Sequence, residues 1–157
     1  MPSAAERTLG HAAVDRAGEL LSRLHPAWPI RRRSNWWEVG KGAIHYALSY
    51  QEPAVTNPSA RGLLQPTPRV SVELVFDAPS NLSGKFELAQ RDASRIHAAM
   101  GHSLVWLPNG NSGADTKRHT IRSSRALDAA AGDLASWLVI EFLLLRHAID
   151  PIVGLQA

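Results

Sequence analysis

From Ala4 to Leu24 the apolar residues Val14, Ala17, Leu20, Leu21 and Leu24 recur with helical spacing, so that they line one face of a helix. Ser3 and Glu6 stand three apart, the spacing of a capping box, in which each side chain satisfies the other residue's backbone N–H. This pattern predicts a first helix over 4–24. Pro26 and Pro29 predict its end, because each lacks a backbone donor and disfavours helix just before it. The period then changes to two. Ile44, Tyr46, Leu48 and Tyr50 alternate with Ala43, His45, Ala47 and Ser49, and Val70, Val72, Leu74 and Phe76 alternate with Ser71, Glu73 and Val75. Such alternation marks strands with one buried face. Trp36 to Val39, followed by Gly40-Lys41-Gly42, reads as the first arm of a hairpin with the run from Ala43 to Gln51.

A Pro-, Asn- and Gly-rich loop runs from Glu52 to Pro68. Asn81 or Ser83 caps a second predicted helix, in which Phe86, Ala89, Ala93, Ile96 and Met100 step by three and four until Gly101. Ser103 to Leu107 reads as a short strand, Pro108 to Asp115 as a loop, and Lys117 to Ser123 as the partner strand. Ser124 then caps a long helix to about Ala148, with Leu127, Leu134, Trp137, Leu138, Leu144 and Leu145 inward and Pro151 beyond its end. The order is α-β-β-β-α-β-β-α. Strands in runs with hairpin-length links predict an α+β fold: a mainly antiparallel sheet of about five strands with helices packed on one face.

With 157 residues, no internal repeat and no linker between periodic segments, residues 1–157 read as one domain. The 45% hydrophobic and 20% charged composition is that of a chain that folds. Cysteine is absent, which excludes disulfides and thiolate zinc sites and suits a reducing, cytoplasmic location. Met1 to Gly10 carries Glu6 and Arg7 and has no apolar core of a signal peptide. The apolar run Trp137 to Ile149 is interrupted by Glu141 and Arg146 and is too short to span a bilayer, so no membrane partner is expected.

Net charge is +3, and its distribution matters more than its size. Arg31, Arg32 and Arg33 precede Trp36, Trp37 and Lys41, and Lys117, Arg118, His119, Arg122 and Arg125 fall on and after the last strand. If the two groups share a sheet face, they form a phosphate-binding surface with an indole to stack on a base. The competing reading is a solvated strand edge, with one of the two neighbouring tryptophans turned into the core. Glu38 and Glu73 are candidates for a carboxylate pair on adjacent strands, and Asp115-Thr116-Lys117 has the acidic-x-lysine spacing of restriction-like nucleases. The competing reading makes them surface or ion-paired carboxylates. The seven histidines show no metal-ligand spacing. Nucleophile elbows, phosphate-cradling loops and dinucleotide fingerprints are absent, so no catalytic residue, metal or cofactor is assigned.

The segment Gly42 to Tyr50, the strand Arg69-Val70-Ser71-Val72-Glu73-Leu74, the run Gly101-His102-Ser103-Leu104-Val105-Trp106, the strand around Ile121, and Trp137-Leu138 with Pro151 resemble a bacterial family. It is domain-of-unknown-function family 4268, whose members occur alone or attached to restriction-like nuclease modules in mobile and defence-associated genes. The resemblance implies this fold and a setting of nucleic-acid processing, and it assigns no catalytic residue. The expectation is a non-catalytic module that binds DNA or RNA through Arg31, Arg32, Arg33, Trp36, Trp37, Lys41, Lys117, Arg118 and Arg122. The alternative is a small regulator that docks on a protein complex, through an apolar patch at Trp28, Trp36 or Trp37, or pairs with a second copy of itself. Metal-dependent cleavage by Glu38, Glu73 or Asp115 is the remaining, enzymatic reading.

Overall fold

The capping box closes as its spacing requires. Ser3 Oγ accepts the Glu6 N–H at 3.1 Å, and Glu6 Oε1 accepts the Ser3 N–H at 3.0 Å, so helix α1 (Ala4–Leu24) starts there. The computed structural model describes residues 2–40, 42–52, 67–77, 83–107 and 118–154. After α1 come β1 (Ile30–Arg32), β2 (Trp36–Val39), β3 (Ile44–Gln51) and β4 (Arg69–Asp77). Then follow α2 (Ser83–Arg91), α3 (Ala93–Met100), β5 (Val105–Leu107), β6 (Arg118–Ala126) and α4 (Ala131–Val153). The strands form one sheet in the order β1-β2-β3-β4-β6-β5, with every neighbouring pair antiparallel. The fold is α+β, as the periodicities predicted.

Alternation along each strand gives the sheet two different faces. On the first, Trp37, Val39, Tyr46, Leu48, Val72, Leu74 and Ile121 join buried side chains from all four helices in one core. α1 lies very close to this face. A Cβ added at Gly18 would stand 2.1 Å from the Trp37 ring, and one at Gly10 would stand 2.3 Å from the Tyr50 ring. The two glycines are therefore notches that receive rings from β2 and β3. Asp15, on the same helix, accepts the Trp37 Nε1–H at 2.9 Å and the forked guanidinium of Arg32 at 3.0 and 3.2 Å. The Arg32 hydrogen bond, aided by that from Trp37, holds the Asp15 carboxyl below its usual range despite the cost of burial.

Several elements depart from the sequence reading. The sheet has six strands, because Ile30 to Arg32, which the periodicities left outside any strand, pairs with β2 as an edge strand. The predicted helix before Gly101 is two helices that break at Asp92. Ser124 belongs to β6, where it pairs with Ser71, and α4 begins seven residues later. Pro151 lies inside the last turn of α4, which ends at Gly154 in the left-handed region. A proline there removes one hydrogen bond, to the exposed His147, just before the helix would end anyway. Leu144, expected inward, is exposed. The loop predicted from Glu52 to Pro68 falls, over 53–66, outside the described residues, as does Pro108 to Asp115. No helix among the described residues is long and apolar enough to cross a membrane.

Glu141 ties α4 to two other elements. This buried carboxylate accepts the Ser123 hydroxyl at 2.6 Å on β6 and pairs with His102 Nε2, beyond the C-terminus of α3. His102 Nδ1–H donates to the Ser103 carbonyl at 2.9 Å. Burial pulls the His102 pKa down, but the Ser103 and Glu141 hydrogen bonds and the Glu141 charge outweigh it and hold the ring above the usual histidine value. A folded-state pKa above the unfolded one means stability that is full below about pH 6.5 and is lost as pH rises through the folded value.

Two outcomes follow from this packing. Gly18→Ala should lower stability by about 1–3 kcal/mol through overpacking against Trp37, read as a fall in Tm of roughly 2–4 °C per kcal/mol. An empty notch would instead give a gain of up to about 1 kcal/mol from helix propensity, so the sign decides. Gly84→Ala, where a Cβ meets nothing within 4 Å, is the control expected not to destabilise. In urea titrations from pH 5.5 to 8.5, wild type should lose stability relative to His102→Gln as pH rises; parallel curves would contradict the pairing.

Candidate functional site

Strand register arranges the second face in rows. Arg31, Glu38, Ala47, Glu73 and Arg122 form one row across five strands, and Trp36, Ser49, Ser71 and Ser124 form the next. Beyond them Gln51 stands opposite Arg69. These side chains are polar or small, and they bond to one another. Glu38 Oε2 accepts Arg31 Nη2 at 2.7 Å and Arg33 Nη2 at 3.0 Å, while His45 Nε2 lies 3.9 Å from its other oxygen. Burial opposes the Glu38 charge, but the Arg31 hydrogen bond and the charges of His45, Arg33 and Arg31 prevail and lower its pKa. Glu73 Oε1 accepts Arg122 Nε at 3.0 Å, Gln51 Nε2 at 2.8 Å and Ser71 Oγ at 3.4 Å. Arg69 donates to the Ser124 hydroxyl at 3.0 Å and carbonyl at 3.3 Å.

A cavity of about 410 Å³ opens on this face, with Ala47 and Ser49 among its lining and Trp36, His45, Glu38, Glu73, Gln51 and Arg33 around them. Trp36 is half-buried, and its ring lies 6.2 Å from that of His45 at 29°. Arg31 and Arg33 side chains are 60% and 44% exposed. Two exposed guanidiniums share the Glu38 carboxylate here beside an accessible indole, while Glu73 and Asp77 also line the cavity.

Of the residues expected to bind nucleic acid, the structure brings together Arg31, Arg33 and Trp36. Arg32 and Trp37 are corrected: the pleat turns both to the first face, where Asp15 holds them. Arg122 shares the second face, but its side chain is 9% exposed and saturates the buried Glu73, so it is a structural ion pair. Arg122 is therefore not part of an open surface with Arg31 and Arg33. Lys41 and Lys117 lie outside the described residues. Arg118 stands opposite Asp77 in the register, and its side chain is not described.

The proposed carboxylate pair is also corrected. Glu38 and Glu73 are separated by β3, about 10 Å apart at normal strand spacing, and each is occupied by arginine. Among the described residues no group of three His, Asp or Glu is placed to hold a metal ion; Asp115 lies outside them. The apolar docking patch at tryptophans is not formed by Trp28 or Trp37. His25 stacks on Trp28 at 3.6 Å, Arg146 sits 3.8 Å over its ring, and Trp37 is in the core. Exposed large apolar side chains are instead spread over α1, α2, β5 and α4, at Leu24, Leu88, Val105, Ile140 and Leu144.

Gln51 and His45 belong to the site and were missed as site residues. Alternation put His45 on the polar side of β3, but only the pairing of β3 with β4 brings Gln51 to Glu73, and that with β2 brings His45 to Trp36. Comparison with protein-family models, curated proteins and solved structures gives no match.

The two carboxylates should respond differently to removal. Glu73→Ala leaves the buried Arg122 unpaired and should cost about 3–5 kcal/mol. Glu38→Ala releases two exposed arginines and should cost only about 1–2 kcal/mol. Urea unfolding measures both, and equal losses would contradict the distinction.

Proposed function

We propose that this domain is a non-catalytic module that binds single-stranded nucleic acid across the β1–β2 corner of its second face. Arg31 and Arg33 meet phosphates, and Trp36 stacks on a base. The observation that carries this reading is the exposure of two guanidiniums with one shared carboxylate beside an indole that lines an open cavity. Bases stack on aromatic rings without regard to sequence, and arginine forks match phosphate oxygens. Glu38 and Glu73 within the cavity repel phosphate and accept hydrogen bonds from base amino groups, so the backbone keeps to the rim while a base turns inward. Arg69, two rows from Arg31, extends the cationic track along β4.

Fluorescence anisotropy of a labelled oligonucleotide tests the proposal. Two phosphate contacts predict an affinity that falls about sevenfold between 50 and 200 mM salt, at a slope of about −0.7 per contact. Arg31→Gln with Arg33→Gln should flatten that slope. Trp36→Ala should cost about 1–3 kcal/mol with the slope retained. A salt response unchanged in the double variant, or no binding of wild type at 50 mM salt, would overturn the reading.

A further inference from the structure

A second and larger cavity, of about 920 Å³, opens where the end of the β2–β3 hairpin faces the last turns of α4. It meets the first at His45, which lines both. Its wall is apolar on one side, formed by Trp28, Pro29, Ile30, Val39 and Ile44. On the other side stand Tyr46, Arg146 and Asp150. Asp150 accepts the Tyr46 hydroxyl on Oδ1 and Arg146 Nε on Oδ2 at 3.0 Å. Burial raises the Asp150 pKa and outweighs the Tyr46 and Arg146 hydrogen bonds, while burial and the neighbouring Asp150 charge raise that of Tyr46. The hydroxyl proton therefore stays on tyrosine.

Arg146 is held on two sides, by its bond to Asp150 and by the face of Trp28. Its Nη1 and Nη2 make no hydrogen bond among the described residues, although the side chain is mostly buried and lines the cavity. A fixed guanidinium with two free donors is preorganised for a planar, two-oxygen acceptor. Among the described residues that line the space, Arg31 donates to Glu38 and Arg146 pairs with Asp150 through Nε, so the Nη1 and Nη2 of Arg146 are the polar anchor, and a planar carboxylate matches them. The volume falls within the range of small-molecule sites, which pair apolar walls with a few convergent polar groups.

From this geometry we infer that the cavity binds a small organic carboxylate, its carboxyl on Arg146 and its hydrocarbon body against Ile30, Val39 and Ile44. The inference does not rest on the proposed nucleic-acid binding at the β1–β2 corner, although Arg31 and His45 border both places. Isothermal titration of the full chain with octanoate and with its uncharged analogue octanamide tests it. Octanoate should bind at least tenfold more tightly than octanamide, and Arg146→Met should erase the difference. In NMR titrations of wild type, octanoate should shift the Trp28 indole N–H and the Ile44 methyls and leave the Trp36 indole in place. If Arg146→Met does not fold, the two wild-type measurements decide. Equal binding of octanoate and octanamide, shifts centred on Trp36, or no response at millimolar octanoate would overturn the inference.

Discussion

The Trp37 ring seated over Gly18 sets the arrangement of everything on the sheet beyond it. An indole that fills a notch where a Cβ would come within 2.1 Å leaves β2 no freedom to slip by one residue, and a slip of one would exchange the two faces of the strand. Asp15 reinforces the seat from the helix side by taking the indole N–H and the Arg32 fork together. With Trp37 and Arg32 committed to the helix side of the sheet, Trp36, Glu38 and Arg31 must point to the opposite face. The pairing of β2 with β3, and of β3 with β4, then carries the same choice across to Glu73 and Arg122.

That opposite face is polar yet largely saturated, and the degree of saturation differs along its length. At Glu73 the arginine is buried and its Nε is bonded to the carboxylate. At Glu38 the arginines lie in water, share one acceptor, and flank an indole and a cavity. Exposed pairs contribute little to stability, so the β1–β2 corner carries charge that the fold does not need. The same strand ends border the larger cavity on the helix side, where Arg146 is fixed but only partly occupied. The two cavities thus adjoin at His45.

Local signals made much of the fold legible in the sequence. The Ser3–Glu6 box, the period-two runs of β3 and β4, and the glycine after Met100 each depend on neighbours within a few residues, and each formed as expected. What stayed hidden depends on pairing across the chain. Nothing local distinguishes Arg31 and Arg33, near an open indole, from Arg122, whose fate is decided by Glu73 on the neighbouring strand. Ser124 has the chemistry of a helix cap, but the β4 pairing keeps it in a strand. Pro151 marks a helix end in general, and it was outweighed by the packing of Ile149 and Val153 on either side of it. The Arg146 site joins residues from β3, α4 and the segment after α1, a combination invisible before the elements are assembled.

The assignment of Trp36 and its arginines to a binding face is tested most directly by ultraviolet cross-linking of a halogenated-uracil oligonucleotide to the protein, followed by mass spectrometry of the linked peptide. The account predicts an adduct on Trp36, within the peptide that bridges β1 and β2, and none on Trp37. Adducts confined to α4 or to β6, or an adduct on Trp37, would contradict it.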